Sequence, residues 1–394
     1  MNILLLTPLY KISGRESLER NTEAIHHLVK YWENVESVNL YVVNTYLNPG
    51  RNIKFLLKRD ELKHFRDDYE YVVDGVNVYL TEIQQIPFQK KFWKFQNRKM
   101  INAVNNVIIN KQFNPDIIIA HFPVRYLGVI EKIKSDAPRI AVLHFTDIRI
   151  CKKYPHYVSA INNIFTKVYA RSASIRNMAD EIGIERLSDF IINSGVPQEQ
   201  NVIREKERNI DRWRILYVGK LIERKHPEYI VKALSKLIKE YDFEMRFVGS
   251  GPIKNNLERL VHEGGLEGKT SFFGVLPREK VFEEMANADI FIMPSVQETL
   301  GLVYLEAMCQ GCITIGTEGE GIDGVIVNGK NGFLVRPLSE DSVYQCLKYV
   351  FDMPSEERKR ISEEAVKSGG YYNEKDMSIA YLREMESFVE GAKS

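Results

Sequence analysis

The feature that most constrains this chain is an alternation that runs along it twice. Short apolar runs rich in β-branched residues, Ile3 to Leu6, Val38 to Val43, Val76 to Leu80, Ile117 to Ala120, Ile140 to His144 and Phe190 to Asn193, are separated by stretches with helical patterning. Strands apolar on both faces belong inside a parallel sheet, and parallel strands need crossover connections, usually helices. Thr22 to Trp32, Lys91 to Lys111 and Val124 to Lys134 carry the pattern expected of those crossovers. The alternation stops in the charged stretch Gln198 to Arg212 and then resumes, with strands expected at Ile215 to Val218, Met245 to Val248, Ser271 to Phe273, Ile290 to Met293 and Ile313 to Gly316. Few contacts should cross a solvated segment between two periodic blocks, so the linker is placed at Gln198 to Asp211. The expected fold is α/β, with two doubly wound domains at residues 1–197 and 198–373 and a last helical segment, 374–394, packing back on the first.

A length of 394 residues allows both domains a sizeable core. With 54 basic and 53 acidic side chains the net charge is +1, so no global field marks a nucleic-acid binder and none is expected as a partner. The four cysteines, Cys151, Cys309, Cys312 and Cys346, are few and unevenly placed, which suits a reducing compartment and a cytoplasmic protein. Met1 to Leu6 lacks a basic flank and soon meets Pro8, so it reads as a buried first strand and not as a signal peptide. No apolar stretch is long enough to span a bilayer, so membrane attachment would be peripheral.

The segment Met293-Pro294-Ser295-Val296-Gln297-Glu298-Thr299-Leu300-Gly301-Leu302 joins an expected buried strand to a helix that continues through Glu306 to Met308. Gly301 permits close backbone approach, and the free N–H groups opening a helix favour an anion such as a pyrophosphate. Glu298 lies just before that helix and Glu306 about two turns into it, a spacing that lets two carboxylates accept hydrogen bonds from hydroxyls along one extended ligand. The plainer reading is an acidic residue at a helix N-terminus plus a solvated glutamate. A second cluster, Gly219-Lys220-Leu221-Ile222-Glu223-Arg224-Lys225, follows a strand end, where Lys220 and Lys225 could neutralise a departing pyrophosphate. The alternative there is a solvated basic loop beside Glu223, and Arg224 fits that description. Gly249-Ser250-Gly251 lies between these clusters and is weak evidence alone, because Asn255 stands where a dinucleotide fingerprint needs a further glycine.

Together these residues resemble the retaining family 4 glycosyltransferases, also called glycosyltransferase group 1, of the GT-B fold. Glu298 and Glu306 reproduce the family's E-x7-E motif in its Pro-Ser, Gly-Leu and Glu-Ala context, and Gln310 to Ile315 and Asn328 to Val335 look like the strand and glycine-rich turn that follow. The resemblance implies two Rossmann-like domains facing across a cleft, the first binding acceptor and the second the nucleotide sugar. It implies that Glu298 touches the donor sugar, that Glu306 holds the ribose, and that the backbone of Thr299, Leu300, Gly301 and Leu302 holds phosphate and sugar. Lys220, Lys225 and Gly249 complete the donor set, with lysine at Lys220 where the family usually has arginine. His144 with Asp147 resembles the family's His-Gly-x-Asp element, with Phe145 in place of glycine, so His144 is expected at the reaction centre and His121 in support. Gly14 occupies the region of the family's phosphate-proximal glycine loop, and an ordinary loop turn is the equal alternative.

The implied reaction is sugar transfer with retention from a UDP- or GDP-sugar to a glycan or lipid-linked saccharide, in bacterial surface polysaccharide or glycolipid synthesis. The leaving phosphate takes the acceptor proton, so no separate base is required. No cofactor is expected beyond the nucleotide-sugar substrate, and no metal, since Arg66-Asp67-Asp68-Tyr69 lacks the spacing of an Asp-x-Asp motif. Cys309-Gln310-Gly311-Cys312 has no second pair for zinc and reads as buried structure, and the adjacent His26 and His27 cannot face one ligand on a helix. Lys90, Lys91, Trp93 and Lys94 interleave cations with an aromatic, as a segment in contact with anionic membrane at the inner face would, or as a half-buried helix with a solvated side would. Two other readings share the architecture: a sugar-nucleotide 2-epimerase and a noncatalytic sugar-nucleotide-binding protein.

Overall fold

In the computed structural model of the protein, the described residues are 1–12, 23–48, 68–84, 94–197 and 212–393. The chain divides into two compact units, the first comprising Met1–Arg171, Ile175–Ser194 and Lys375–Ser394, the second Ser172–Ser174 and Gly195–Glu374.

The first unit is built on an eight-stranded sheet ordered β3-β4-β2-β1-β5-β6-β7-β8. The strands are β1 Asn2–Thr7, β2 Asn39–Asn48, β3 Tyr69–Val73, β4 Val76–Gln84, β5 Ile117–His121, β6 Arg139–Leu143, β7 Lys167–Ala170 and β8 Leu187–Ile191. All neighbours are parallel except the β3–β4 hairpin. The central strand shows why its sequence is apolar throughout: Leu4 and Leu6 join the core on one face and Ile3 and Leu5 the core on the other. Three strands carry no strong apolar run, among them β8, which Ser188 and Asp189 interrupt. β3 is an edge strand with an alternating exposed pattern, and β7 is only four residues long.

Two of the three crossovers are shorter than the sequence pattern suggests, whereas the third is helical from Lys94 through Asn110. In the Thr22 to Trp32 region the helix is His26–Val29, followed by a 3-10 turn at Trp32–Asn34, and in the Val124 to Lys134 region it is Leu127–Ile130. There a 3-10 turn at Pro123–Tyr126 runs directly into the helix, and a side chain at Gly128 would lie 2.4 Å from the Asn97 amide.

The second unit has a fully parallel six-stranded sheet ordered β11-β10-β9-β12-β13-β14. Its strands are β9 Trp213–Val218, β10 Phe243–Val248, β11 Thr270–Gly274, β12 Ile290–Ile292, β13 Ile313–Thr317 and β14 Phe333–Val335. One continuous core, running from Val196 to Ala365 in sequence, joins the sheet to its helices.

The last helix, Glu374–Lys393, packs in the first unit. Trp32 donates its indole N–H to the Ser378 carbonyl at 2.9 Å, the Ser378 hydroxyl donates to the Leu28 carbonyl at 2.7 Å, and Tyr381 meets the Trp32 ring edge to face. Just before it, in the second unit, Val196 donates to the Tyr372 carbonyl and accepts from the Glu374 N–H, which presses Gly195 against the backbone of Asn373 and Glu374. A Cβ at position 195 would lie 2.5 Å from the Asn373 carbonyl carbon. Gly195→Ala is therefore expected to lower the unfolding midpoint by the equivalent of about 1–3 kcal/mol in chemical denaturation, whereas an unchanged midpoint would show that this pairing yields freely.

Candidate functional site

In the second unit, the loops leaving the carboxyl ends of β9, β10, β12 and β13 bring most of the expected donor-site residues together. This is the edge at which open parallel sheets bind ligands. The loop after β12 is fixed at its base, where the Tyr304 hydroxyl donates to the Met293 carbonyl at 2.6 Å. It ends at Gly301, whose φ of 78° and position against the Tyr304 ring leave no room for a side chain before helix Leu302–Cys309 begins. Leu300 is buried, and Thr299 abuts Gly321 through its backbone.

Glu298 is the electrostatic focus. One carboxylate oxygen, Oε2, accepts from Lys225 Nζ at 2.9 Å, from Arg224 Nη1 at 3.3 Å and from the Ser295 hydroxyl at 3.2 Å. Its side chain is 16% exposed and that of Lys225 11%, so the pair is largely withdrawn from solvent screening. Burial pushes the carboxyl up, but the Lys225 and Arg224 charges and the hydrogen bonds from Lys225 and Ser295 outweigh it and hold the pKa below its ordinary value. Glu298 is therefore ionised at neutral pH. Its other oxygen has no partner recorded among the described residues.

Lys220 lies on the same loop with an exposed side chain, and its carbonyl accepts from the Tyr217 hydroxyl at 2.9 Å. Gly249 lets two strand-end loops touch: a Cβ there would lie 1.9 Å from the Gly219 oxygen, and one at Gly251 would lie 2.1 Å from the Leu221 oxygen. Glu306, on helix Leu302–Cys309, accepts from Arg278 Nη2 at 2.8 Å. Three participants were not identified from sequence. Arg278 reaches Glu306 from the start of helix Arg278–Asn287, Ser295 bonds Glu298, and Glu320 accepts the Glu298 backbone N–H at 2.8 Å. A carboxylate flanked by Gly319 and Gly321 beyond a buried strand was the available signal for Glu320.

The first unit places His121 at the end of β5 and His144 just after β6, with His121 Nδ1 and His144 Nε2 3.1 Å apart. The Phe122 ring stacks on His144 at 3.7 Å, and the Tyr381 hydroxyl lies 3.4 Å from His121 Nε2. Asp147 accepts the His144 backbone N–H at 2.9 Å and the Val124 N–H at 3.3 Å, while burial raises its pKa to about 7. Both imidazoles are held well below the ordinary histidine pKa, first by burial and then by neighbouring positive charge, including buried Arg171. Phe145 opens helix Phe145–Lys153 without disturbing this cap. Gly14, Lys90, Lys91 and Trp93 lie outside the described residues, and Lys94 is exposed at the start of helix Lys94–Asn105.

Neutral histidines at these positions should not titrate through mild acid. In protein carrying 13C-labelled histidine, the ring signals assigned through His121→Asn and His144→Asn should stay at neutral-form shifts from about pH 8 to about pH 5.5, and a midpoint near the ordinary value of about 6.5 would contradict this account.

Comparison with known proteins bears on the fold and the family. The family model described as "Glycosyl transferases group 1" matches residues 198–368. An uncharacterized glycosyltransferase of Methanocaldococcus jannaschii is 26% identical over 297 residues, spanning 70% of this chain and 75% of that protein. The putative teichuronic acid biosynthesis glycosyltransferase TuaC of Bacillus subtilis is 24% identical over 365 residues, 88% of each chain. Among solved structures, Anabaena HepE in complex with UDP and glucose superposes with a TM-score of 0.66 at 17% identity, covering 98% of this chain and 100% of that one. The parallel sheets and these similarities give the chain a GT-B fold whose residues 198–368 match the group 1 glycosyltransferases, enzymes that transfer a sugar from a nucleotide sugar.

Proposed function

We propose that this enzyme transfers a hexose-type sugar, with retention, from a UDP- or GDP-sugar held by the second unit to a hydroxyl of a glycan or lipid-linked saccharide taken by the first. The observation that carries this reading is the Glu298 carboxylate, kept ionised by Lys225 and Arg224 beside the exposed Lys220. An ionised carboxylate with an oxygen to spare suits a sugar hydroxyl, and Glu306 suits the ribose. Lys220 and Lys225 carry the charge of the departing diphosphate, aided by N–H groups at the start of helix Leu302–Cys309. The acceptor oxygen forms a bond to the anomeric carbon on the face from which the nucleotide leaves. The bond to the phosphate oxygen breaks, and that phosphate takes the acceptor proton. Lys220, Lys225 and the backbone supply the electrostatics, so no metal ion is invoked.

HepE is described with UDP and glucose, and TuaC is named for teichuronic acid synthesis, which make uridine donors and a surface polysaccharide the first substrates to test. The measurement is nucleotide release and sugar identity from UDP- and GDP-sugars, with and without lipid extract. Release that depends on acceptor and persists in chelator is expected, and Glu298→Ala and Glu306→Ala should each lower turnover by about 100-fold or more. Wild-type affinity and turnover in both variants would sink the donor-site assignment. A changed sugar without release would indicate 2-epimerisation, and tight binding without either would indicate a noncatalytic binder.

We further propose that the enzyme works in the cytoplasm in peripheral contact with anionic membrane. No described helix is long and apolar enough to cross a membrane. Helix Lys94–Asn105 contains no acidic residue and exposes Lys94, Phe95 and Arg98, which suits an anionic surface. Replacing Lys90, Lys91 and Lys94 with glutamate should abolish co-sedimentation with vesicles containing anionic phospholipid, and undiminished binding would rule the patch out.

A further inference from the structure

Gln297, the residue before Glu298, has a φ of 61°, a left-handed conformation that costs a side chain strain and that glycine would adopt freely. The sequence keeps glutamine, and the surrounding charges hold the turn instead. Arg224 Nη1 lies 3.4 Å from the carbonyl oxygens of both Val296 and Gln297, while the Arg224 carbonyl accepts the Val296 N–H at 2.8 Å. On the N–H side, Glu320 accepts the backbone N–H of Glu298 at 2.8 Å and that of Gln297. Arg224 therefore grips the carbonyls of the turn and Glu320 grips its N–H groups.

The glycines beside Glu320 make this reach feasible. A Cβ at Gly321 would lie 2.3 Å from the Thr299 carbonyl carbon, so only glycine lets the two loops close, and the Gly321 N–H then donates to the Glu298 carbonyl at 3.2 Å. Gly319, at φ 72°, donates its N–H to the Asp323 carboxylate at 2.6 Å and turns the chain toward the site. Arg224 and Lys225 offset Glu298 and Glu320, so the clamp adds no net charge to the place where a diphosphate would bind.

We propose that Arg224 and Glu320 are positioning residues, a two-sided clamp on the Gln297 turn that sets the direction of the Glu298 carboxylate and of the N–H groups following it. The proposal rests on the donor-site reading of Glu298. A clamp of this kind supplies geometry and touches no substrate, so its loss should fall on turnover more than on donor binding.

The test compares Glu320→Ala, Glu320→Gln and Glu298→Ala for nucleotide release from UDP-glucose and GDP-mannose, with thermal midpoints and UDP and GDP affinities measured alongside. Glu320→Ala should lower kcat by about 10- to 100-fold while KM for the donor changes by less than about 3-fold. Glu320→Gln keeps an acceptor oxygen of the same reach and should recover most of that loss. Should Glu320→Ala fail to fold, Glu320→Ser, whose hydroxyl is too short to reach the N–H groups of the turn, carries the same expectation. The clamp is overturned if Glu320→Ala turns over like wild type, or if Glu320→Gln is as impaired as Glu320→Ala. If Glu298→Ala itself turns over like wild type, the donor-site reading fails first; if Glu298→Ala is impaired and Glu320→Ala is not, the clamp alone is wrong.

Discussion

The site in the second unit depends on one largely buried ion pair. A carboxylate as withdrawn from water as Glu298 would ordinarily drift toward its neutral form, and the cost of keeping it charged is offset only by close, well-directed cations and donors. Lys225 at 2.9 Å, Arg224 at 3.3 Å and the Ser295 hydroxyl supply them, all on the same oxygen. Each partner comes from a loop at the carboxyl end of a strand, and each loop is held by close backbone packing that particular glycines permit. Gly249 against Gly219 and Gly321 against Thr299 are the decisive approaches. The pair thus explains why the glycines cluster at one edge of the sheet, since a side chain at any of them would move a cation or a turn away from Glu298.

Much of this architecture was legible in the sequence, because a doubly buried parallel strand writes itself as an unbroken apolar run. β1, β5 and β9 are such strands. What escaped the pattern did so for physical reasons. β3 lies at an edge and is half exposed, so its side chains alternate, while β7 is too short to carry a period. Over the Val124 to Lys134 region the α-helix is only Leu127–Ile130, because the turn that Pro123 opens is 3-10 up to Tyr126 and the apolar spacing does not distinguish the two helix types.

The candidate site was readable where its chemistry is local and unreadable where it is not. Glu298, Glu306, Lys220 and Lys225 stand in short motifs, and the resemblance those motifs carry, more than residue type and spacing alone, points to them. Arg224 reads as a solvated loop cation, yet its guanidinium lies against residues more than 70 positions away. Glu320 and Arg278 are 22 and 28 positions from the glutamates they serve. Such pairings arise from sheet topology, which sets different strand-end loops side by side, and no window along the sequence contains both partners.

The two units also differ in electrical character, and the difference bears on the reaction. The strand ends of the second unit gather ionised groups, with Glu298 held charged and cations around it. The corresponding ends of β5 and β6 in the first unit present two imidazoles that burial and the Arg171 charge keep neutral. In transfer from a nucleotide sugar, negative charge grows on the departing diphosphate while the acceptor brings an uncharged hydroxyl. Fixed charges are most useful where the charge develops, because they need not reorganise as the reaction proceeds. A neutral imidazole near a sugar can orient hydroxyls without competing for the diphosphate, and its resistance to protonation preserves that role in mild acid. Under the proposed assignment of donor to the second unit and acceptor to the first, each unit carries the electrostatics its substrate requires.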